Sequence, residues 1–157
     1  MTTMPRSYTI DVQGLPRPQG SLTLFRAKNG HEVAKYPQPV IAWRMLVQQT
    51  VANLELEPMI GAVELRLGFQ LPRPLHHFLP PNSKRSKPEL RATAPEWVTV
   101  APDLDKLTRA ICDSCTDAGL WKDDAQVVYI QAAKRYVVPP AVAGVRIVVT
   151  ELEQPYD

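Results

Sequence analysis

The sequence predicts an α/β or α+β fold, a small mixed sheet of four to six strands with two main helices. Three observations predict this class. One segment alternates strictly between apolar and polar residues, two segments repeat apolar residues every three or four positions, and turn residues separate the segments. The length of 157 residues is that of one ordinary domain, so we expect a single domain over 1–157.

The first third of the chain predicts a strand, a hairpin and a helix. Residues 7–13 alternate in polarity, which is typical of a strand. Residues 21–36 place apolar stretches on both sides of Asn29 and Gly30, a sequence that favours a hairpin turn. Residues 39–54 repeat apolar side chains at the spacing of one helix face and predict the first helix.

The rest of the chain predicts more strands and a second helix. Residues 63–71 (VELRLGFQL) give the clearest alternation and predict a half-buried strand. Apolar residues keep helical spacing from Leu104 to Ala118, and Gly119 is the expected stop. Further strands are expected at three segments: 97–100, 126–137 and 145–152.

A basic, proline-rich loop is predicted at 72–95. It holds six prolines, and five basic residues stand against one acid, a net charge of +4. No regular element is expected among so many prolines. A loop of this length in a small domain is usually functional or disordered rather than structural. Two interpretations stay open: a solvated surface loop, or an arm that contacts DNA phosphates. The basic residues are Arg73, Lys84, Arg85, Lys87 and Arg91.

The net charge of +2 hides two opposite regions. Residues 102–127 hold six acids and three bases, a charge of −3, which leaves +5 for the remainder. Such a distribution suits a protein that attracts a polyanion and gathers carboxylates where a cation is held. A solvated acidic helix face is the plainer alternative.

Membrane and disulfide classes are excluded by simple counts. The chain has no apolar run of about 18 residues and no secretory pattern at its start, so we expect a cytoplasmic protein without membrane contact. Cys112 and Cys115 cannot form a disulfide framework and are expected to be reduced helix residues. A zinc or redox role is less favoured, since no second Cys pair exists and the histidines lie far off in sequence.

Four acids carry the chemistry that we expect. Asp103 and Asp105 stand at the start of the second helix, where the helix dipole favours carboxylates, but capping explains only one of them. Asp123 and Asp124 follow that helix. A helix of 14 residues is about 21 Å long, so the pairs meet only if the helix is short, bent or packed across the end of the sheet.

A meeting of these carboxylates would require a cation. Carboxylates about 5 Å apart repel by roughly 3 kcal/mol per pair at an effective dielectric constant near 20. Oxygen ligands favour Mg²⁺ or Mn²⁺, and such clusters serve metal-dependent phosphodiester cleavage, in which the ion activates water and offsets charge on the leaving oxygen. Arg109, one turn beyond Asp105, is placed to hold the phosphate.

The same residues resemble a known family. Two segments, PDLDKL at 102–107 and WKDDAQV at 121–127, are similar to the signature of RusA-type Holliday-junction resolvases, in order and spacing. The resemblance implies a RusA-like fold and a homodimeric, Mg²⁺-dependent endonuclease, with Mn²⁺ as a substitute and no organic cofactor. It also implies paired symmetric nicks in four-way DNA junctions, in recombination and repair, within a bacterial cell and from a phage or prophage gene.

The resemblance also assigns residues. It implies Asp103, Asp105 and Asp124 as catalytic metal ligands, with Asp123 as a candidate fourth ligand. The family commonly has Asn after the second Asp and a catalytic Lys four residues beyond that Asp. Here Lys106 and Arg109 stand at those two places. Arg keeps the charge without serving as a general acid, so we expect Arg109 to stabilise phosphate, with Lys106 as a candidate substitute for the Lys.

DNA contacts are expected from Arg73, Lys84, Arg85 and Lys87 of the loop and from Lys134 in the strand after the acids. Two alternatives remain. One is a non-catalytic, architectural junction-binding protein with a structural ion. The other is a haloacid-dehalogenase-like phosphatase, which is disfavoured because Pro102 separates the strand from Asp103 and only 52 residues follow Asp105.

Overall fold

The structure, a computed structural model, describes residues 4–154. It contains six strands and two α-helices in that range. In chain order they are β1 (Ser7–Gln13), β2 (Thr23–Arg26), β3 (Glu32–Lys35), α1 (Gln38–Asn53), β4 (Ala62–Leu71), α2 (Leu104–Asp117), β5 (Val127–Tyr136) and β6 (Gly144–Leu152). The predicted α/β class with two helices is thereby confirmed.

Four strands form one mixed sheet in the order β1-β6-β4-β5. β6 runs antiparallel to both of its neighbours, and β5 runs parallel to β4, with Val63 opposite Val127 and Leu71 opposite Tyr136. Parallel neighbours need a crossover connection, and α2 supplies it. The amino end of α2 therefore lies near the carboxyl ends of β4 and β5, whereas its carboxyl end lies where β5 begins.

Both helices cover the same face of the sheet. In β4 the odd-numbered residues from Val63 to Leu71 are buried, and polar residues of the same strand point to the open face. α1 buries Trp43 and Val47 beneath the sheet, and α2 buries Leu107 and Ile111. Burying a large apolar side chain contributes about 1.5–3 kcal/mol, so this layer holds both helices firmly to the sheet.

The hairpin predicted at 21–36 is confirmed as β2 and β3, which form a separate two-stranded sheet with Phe25 opposite Val33. The strand predicted at 97–100 is wrong. Only Trp97 makes a bridge, to Arg135. At the end of this segment the Val100 carbonyl oxygen accepts a hydrogen bond from the Lys134 ammonium at 2.7 Å, and not from a neighbouring strand.

The loop at 72–95 has more structure than the sequence predicted. Leu75–His77 forms a turn of 3-10 helix, and Phe78 bridges Leu90. Backbone hydrogen bonds join the two arms of the loop. Proline has no N–H to donate, and the loop tolerates its many prolines because other residues donate these bonds. Across residues 4–154, neither helix is both long and apolar enough for a membrane span.

Candidate functional site

Asp103 and Asp105 lie together at the amino end of α2. Asp103 is the residue that precedes the first helical turn, with extended backbone angles of −70° and 136°, and Asp105 lies in that turn. Neither carboxylate is buried, and the Asp103 side chain does not cap the helix. The positive end of the helix dipole stabilises both negative charges. The site is therefore an open surface with two exposed carboxylates.

Lys106 forms an ion pair with Asp103. The ammonium nitrogen lies 2.6 Å from the Asp103 Oδ2 oxygen. This hydrogen bond and the lysine charge lower the pKa of Asp103, with a smaller contribution from the charge of Lys134. The same hydrogen bond raises the pKa of Lys106. Both groups are therefore charged at neutral pH, and the pair stands ready at the helix end.

Lys134 positions the segment that leads to Asp103. From β5 its ammonium donates to the carbonyl oxygens of Val100 and Pro102, each at 2.7 Å. These bonds fix the backbone one residue before the first aspartate. Arg109 is exposed and lies one helical turn beyond Asp105, on the same face of α2.

Asp123 and Asp124 lie at the other end of α2. The Asp123 carboxylate accepts a hydrogen bond from the Ala125 N–H at 2.7 Å, and the Gln126 side-chain oxygen accepts from the Asp123 N–H at 3.2 Å. This reciprocal pair is a capping box that starts a short 3-10 helix over Asp124–Gln126. Asp123 therefore shapes the turn that presents Asp124.

Asp124 is held from two sides. Its carboxylate accepts hydrogen bonds from the Thr116 hydroxyl and from the buried Trp121 indole N–H, the latter at 3.0 Å. Thr116 is eleven residues beyond Asp105 along α2, and this corresponds to about 16 Å of helix. A single chain therefore brings Asp103 and Asp105 together but keeps them apart from Asp124.

The donor chemistry at the amino end of α2 fits a hard divalent cation, because such ions take oxygen ligands. Within the described range no group of three or more His, Cys, Asp or Glu side chains is arranged to hold a metal ion. Two exposed carboxylates at one helix end supply part of such a set, and Lys106 neutralises one of them. Magnesium usually takes one or two carboxylates together with waters and substrate phosphates, so this pair could supply the protein ligands of such a site.

The basic residues of the loop fall into two groups: arginines that hydrogen-bond backbone carbonyls, and exposed lysines. The Arg73 guanidinium donates to Val137 O at 2.8 Å and to Pro95 O at 2.6 Å, so it ties both ends of the loop to the sheet. Arg85 bonds Pro80 O within the loop. Lys84 and Lys87 are exposed, and among residues 4–154 neither ammonium has an acidic partner.

Two glutamines support the site without having been predicted. Gln126 donates from its side-chain nitrogen to the carbonyls of Met59, Ile60 and Gly61 at 3.0–3.2 Å, which locks the turn to the start of β4. The spacing of Asp123 and Gln126 is a capping-box signal that the sequence carried. Fully buried Gln19 donates to Asp113 on α2, and no local pattern marks it.

The two cysteines are structural. Both thiols are free and buried. Burial, followed by the charges of Asp124 and Asp113, raises the pKa of Cys112 to about 12, and burial also raises the pKa of Cys115. Neutral thiols are neither good nucleophiles nor metal ligands. This environment favours the predicted helix-packing role over a zinc or redox role.

Comparison with known proteins agrees with the motifs around these acids. The family model described as endodeoxyribonuclease RusA matches residues 15–149 of the 157-residue chain. No curated protein sequence matches the chain. The matched range runs from the segment after β1 through most of β6 and includes both acid pairs. The chain therefore belongs to the RusA endodeoxyribonuclease family.

Proposed function

We propose that this chain is a metal-dependent endonuclease that resolves four-way DNA junctions by paired, symmetric nicks in recombination and repair. The observation that carries the proposal is the exposed pair Asp103 and Asp105 at the amino end of α2, in a chain of this family. Lys106 lowers the pKa of Asp103, and ionised carboxylates are the form that binds a divalent cation.

The proposed ligand set is completed by a second copy of the chain. Thr116, which donates a hydrogen bond to Asp124, lies about 16 Å beyond Asp105 along α2 of one subunit. A two-fold axis across α2 would reverse one helix relative to the other and bring each amino end to the partner's carboxyl end. Two equivalent sites result, each with Asp103 and Asp105 from one subunit and Asp124, with Asp123 as a candidate fourth ligand, from the other.

The free edge of β5 supports this arrangement. β5 is the outermost strand of the sheet. Three consecutive apolar residues near its start are exposed: Val128 at 62%, Tyr129 at 48% and Ile130 at 48%. An open apolar edge strand is a surface that another chain covers. We propose that the homodimer forms over this edge and the adjoining face of α2.

Magnesium is the proposed ion, with manganese as a substitute, and no organic cofactor is needed. When bound, the ion would supply an activated water and offset charge on the leaving oxygen. Arg109 would hold the scissile phosphate as a fixed cation, and Lys106 would exchange its bond to Asp103 for one to the phosphate. DNA phosphates would contact Lys84, Arg85 and Lys87. Arg73 would instead hold the base of the loop, and Lys134 would hold the backbone before Asp103.

The family also supports a proposal for the substrate, the cellular location and the source of the gene. Branched DNA in a bacterial cell is the proposed substrate, and the cytoplasm is the proposed location. A phage or prophage gene is the proposed source.

The direct test is cleavage of a labelled synthetic four-way junction with and without Mg²⁺. We expect paired nicks only with the metal. Asp105→Asn should abolish the nicks and retain junction binding, while the control Asp11→Asn, in β1 away from the acids, should cleave normally. Cleavage by Asp105→Asn at the normal rate would remove the pair from the mechanism. Tight binding without any metal-dependent nick would favour the architectural alternative.

The cross-subunit site has its own test. Asp105→Asn and Asp124→Asn are each expected to be inactive, but a mixture allowed to exchange subunits should regain nicking. In the mixed dimer one site has both substitutions and the other has none. Recovery should therefore appear as single, unpaired nicks. A mixture that stays inactive after proven exchange would place both acids in the same subunit's site.

A further inference from the structure

The basic loop contains an apolar cleft of about 680 Å³. Its walls are formed mainly by proline and large apolar side chains, and its rim carries Arg85, Lys87 and Arg91. The apolar residues are Leu75, Phe78, Leu79, Pro80, Pro81 and Pro88. The proposed nuclease site uses none of these apolar residues.

The walls of the cleft are held in place by hydrogen bonds across the loop. The Leu79 N–H donates to Glu89 O at 2.8 Å, and the Arg91 N–H donates to His77 O at 3.0 Å. The Arg85 guanidinium donates to Pro80 O at 2.6 Å and pairs with the Glu89 carboxylate at 3.0 Å. The cleft is therefore a built feature of the folded loop.

Its apolar surface is open, and its lining carries three basic side chains, Arg85, Lys87 and Arg91, against one acid, Glu89. Leu75 is 89% exposed, and Pro80, Pro81 and Pro88 are exposed as well. The loop over 72–95 carries a net charge of +4. Apolar exposure rimmed by polar groups marks a binding surface, and the charge selects an anionic ligand with a flat apolar part.

We propose that this cleft binds one nucleotide of single-stranded DNA, with its base against Phe78 and the neighbouring phosphates at Lys84 and Lys87. Base stacking on an aromatic ring beside basic side chains is how proteins hold unpaired strands. Paired bases in a duplex hide their faces, so the cleft would select an unpaired base. The inference rests on the proposed function for its substrate and adds a strand-separating contact to it.

The loop places this contact on the side of the molecule that bears the first acid pair. Arg73 closes the loop at its base through Pro95 O, eight residues before Asp103. The loop leaves the sheet at the carboxyl end of β4, where α2 begins. A base held in the cleft would therefore lie in the loop that leads into the segment bearing Asp103 and Asp105.

The test measures binding of a fluorescently labelled oligothymidylate by anisotropy, in EDTA so that no cleavage occurs. Phe78→Leu keeps an apolar side chain and removes the aromatic ring, and we expect its affinity to fall about tenfold. Phe78→Tyr keeps the ring and should bind like the unmodified protein. Lys84→Ala combined with Lys87→Ala should weaken binding and flatten its salt dependence.

An abasic strand of the same length keeps the phosphates but lacks the bases, so it distinguishes base contacts from phosphate contacts. Phe78→Leu and the unmodified protein should bind it equally, while the double lysine variant should bind it more weakly than both. Equal oligothymidylate binding by Phe78→Leu and the unmodified protein would overturn the proposal and leave the cleft to a protein partner. That result would leave the proposal of junction cleavage standing, and a failure to cleave junctions would leave this binding proposal standing. The two proposals can therefore fail separately.

Discussion

At the scale of single residues, Lys106 is the nearest charged partner of the first catalytic candidate, Asp103. Its hydrogen bond to Asp103 lowers the pKa of that carboxyl group. The stabilisation is present above the ordinary carboxyl pKa and is lost as the pH falls through the lowered value. Because both groups are largely exposed, the pair contributes little to folding stability. Its main effect is on the pKa of Asp103.

The change Lys106→Met tests this coupling. We expect the pKa of Asp103 to rise towards its ordinary value, because the hydrogen bond and the adjacent charge are removed. Carboxyl carbon NMR over an acid titration measures the shift. Lys122→Met, beside Asp123, is the control and should leave the Asp103 titration unchanged. An Asp103 titration that is the same with and without Lys106 would contradict the ion pair.

The cysteines give a second prediction at this scale. Burial raises the pKa of Cys112 to about 12, so near pH 8 its thiol should be almost fully protonated and shielded. A thiol-reactive dye should label the native protein very slowly and label two thiols after unfolding. Ser86→Cys, exposed in the basic loop, provides the control and should react at once. Rapid labelling of the unmodified native chain would contradict the packed position of α2.

At the scale of elements, strand pairing depends on one glycine. A side-chain carbon added to Gly144 would lie 2.2 Å from the Val12 carbonyl oxygen, and that backbone atom belongs to the neighbouring strand β1. Gly68 in β4 has open space at the same position, with nothing within 4 Å. The two glycines lie in adjacent strands and differ in this one respect.

Gly144→Ala should therefore destabilise the fold by about 2 kcal/mol or more, since β1 must shift away from β6. Gly68→Ala should be neutral or slightly stabilising, because it restricts the unfolded chain without a native clash. Urea denaturation followed by circular dichroism measures both. Similar midpoints for the two variants would be inconsistent with the close approach of β1 and β6.

Regular elements were predictable because local patterns determine them. The alternation at 63–71 and the helical spacing before Gly119 needed no long-range information. The segment at 97–100 failed since a distant lysine takes one of its carbonyls. The separation of Asp105 from Asp124 follows from the uninterrupted 14 residues of α2, a length that the local spacing predicted. The parallel pairing of β5 with β4 across that helix is not encoded in any local pattern.

At the scale of the whole molecule, the single chain leaves an apolar strand edge uncovered. We expect the protein to sediment as a dimer, and Ile130→Asp to shift it towards monomer, because a charge would be buried at the proposed interface. Val142→Asp, exposed in the connection before β6, is the control and should remain dimeric. Analytical ultracentrifugation distinguishes the species. A dimer that tolerates Ile130→Asp would move the interface elsewhere.

The central position of β6 has a consequence for biosynthesis. β6 separates β1 from β4, yet it follows both by many residues: Ser7 pairs with Thr150 and Ala62 pairs with Leu152. Until the ribosome has delivered β6, β1 has no partner and β4 lacks its antiparallel neighbour. A nascent chain therefore exposes unpaired edges of β1 and β4 until β6 is synthesised, and the risk of aggregation is greatest in that interval.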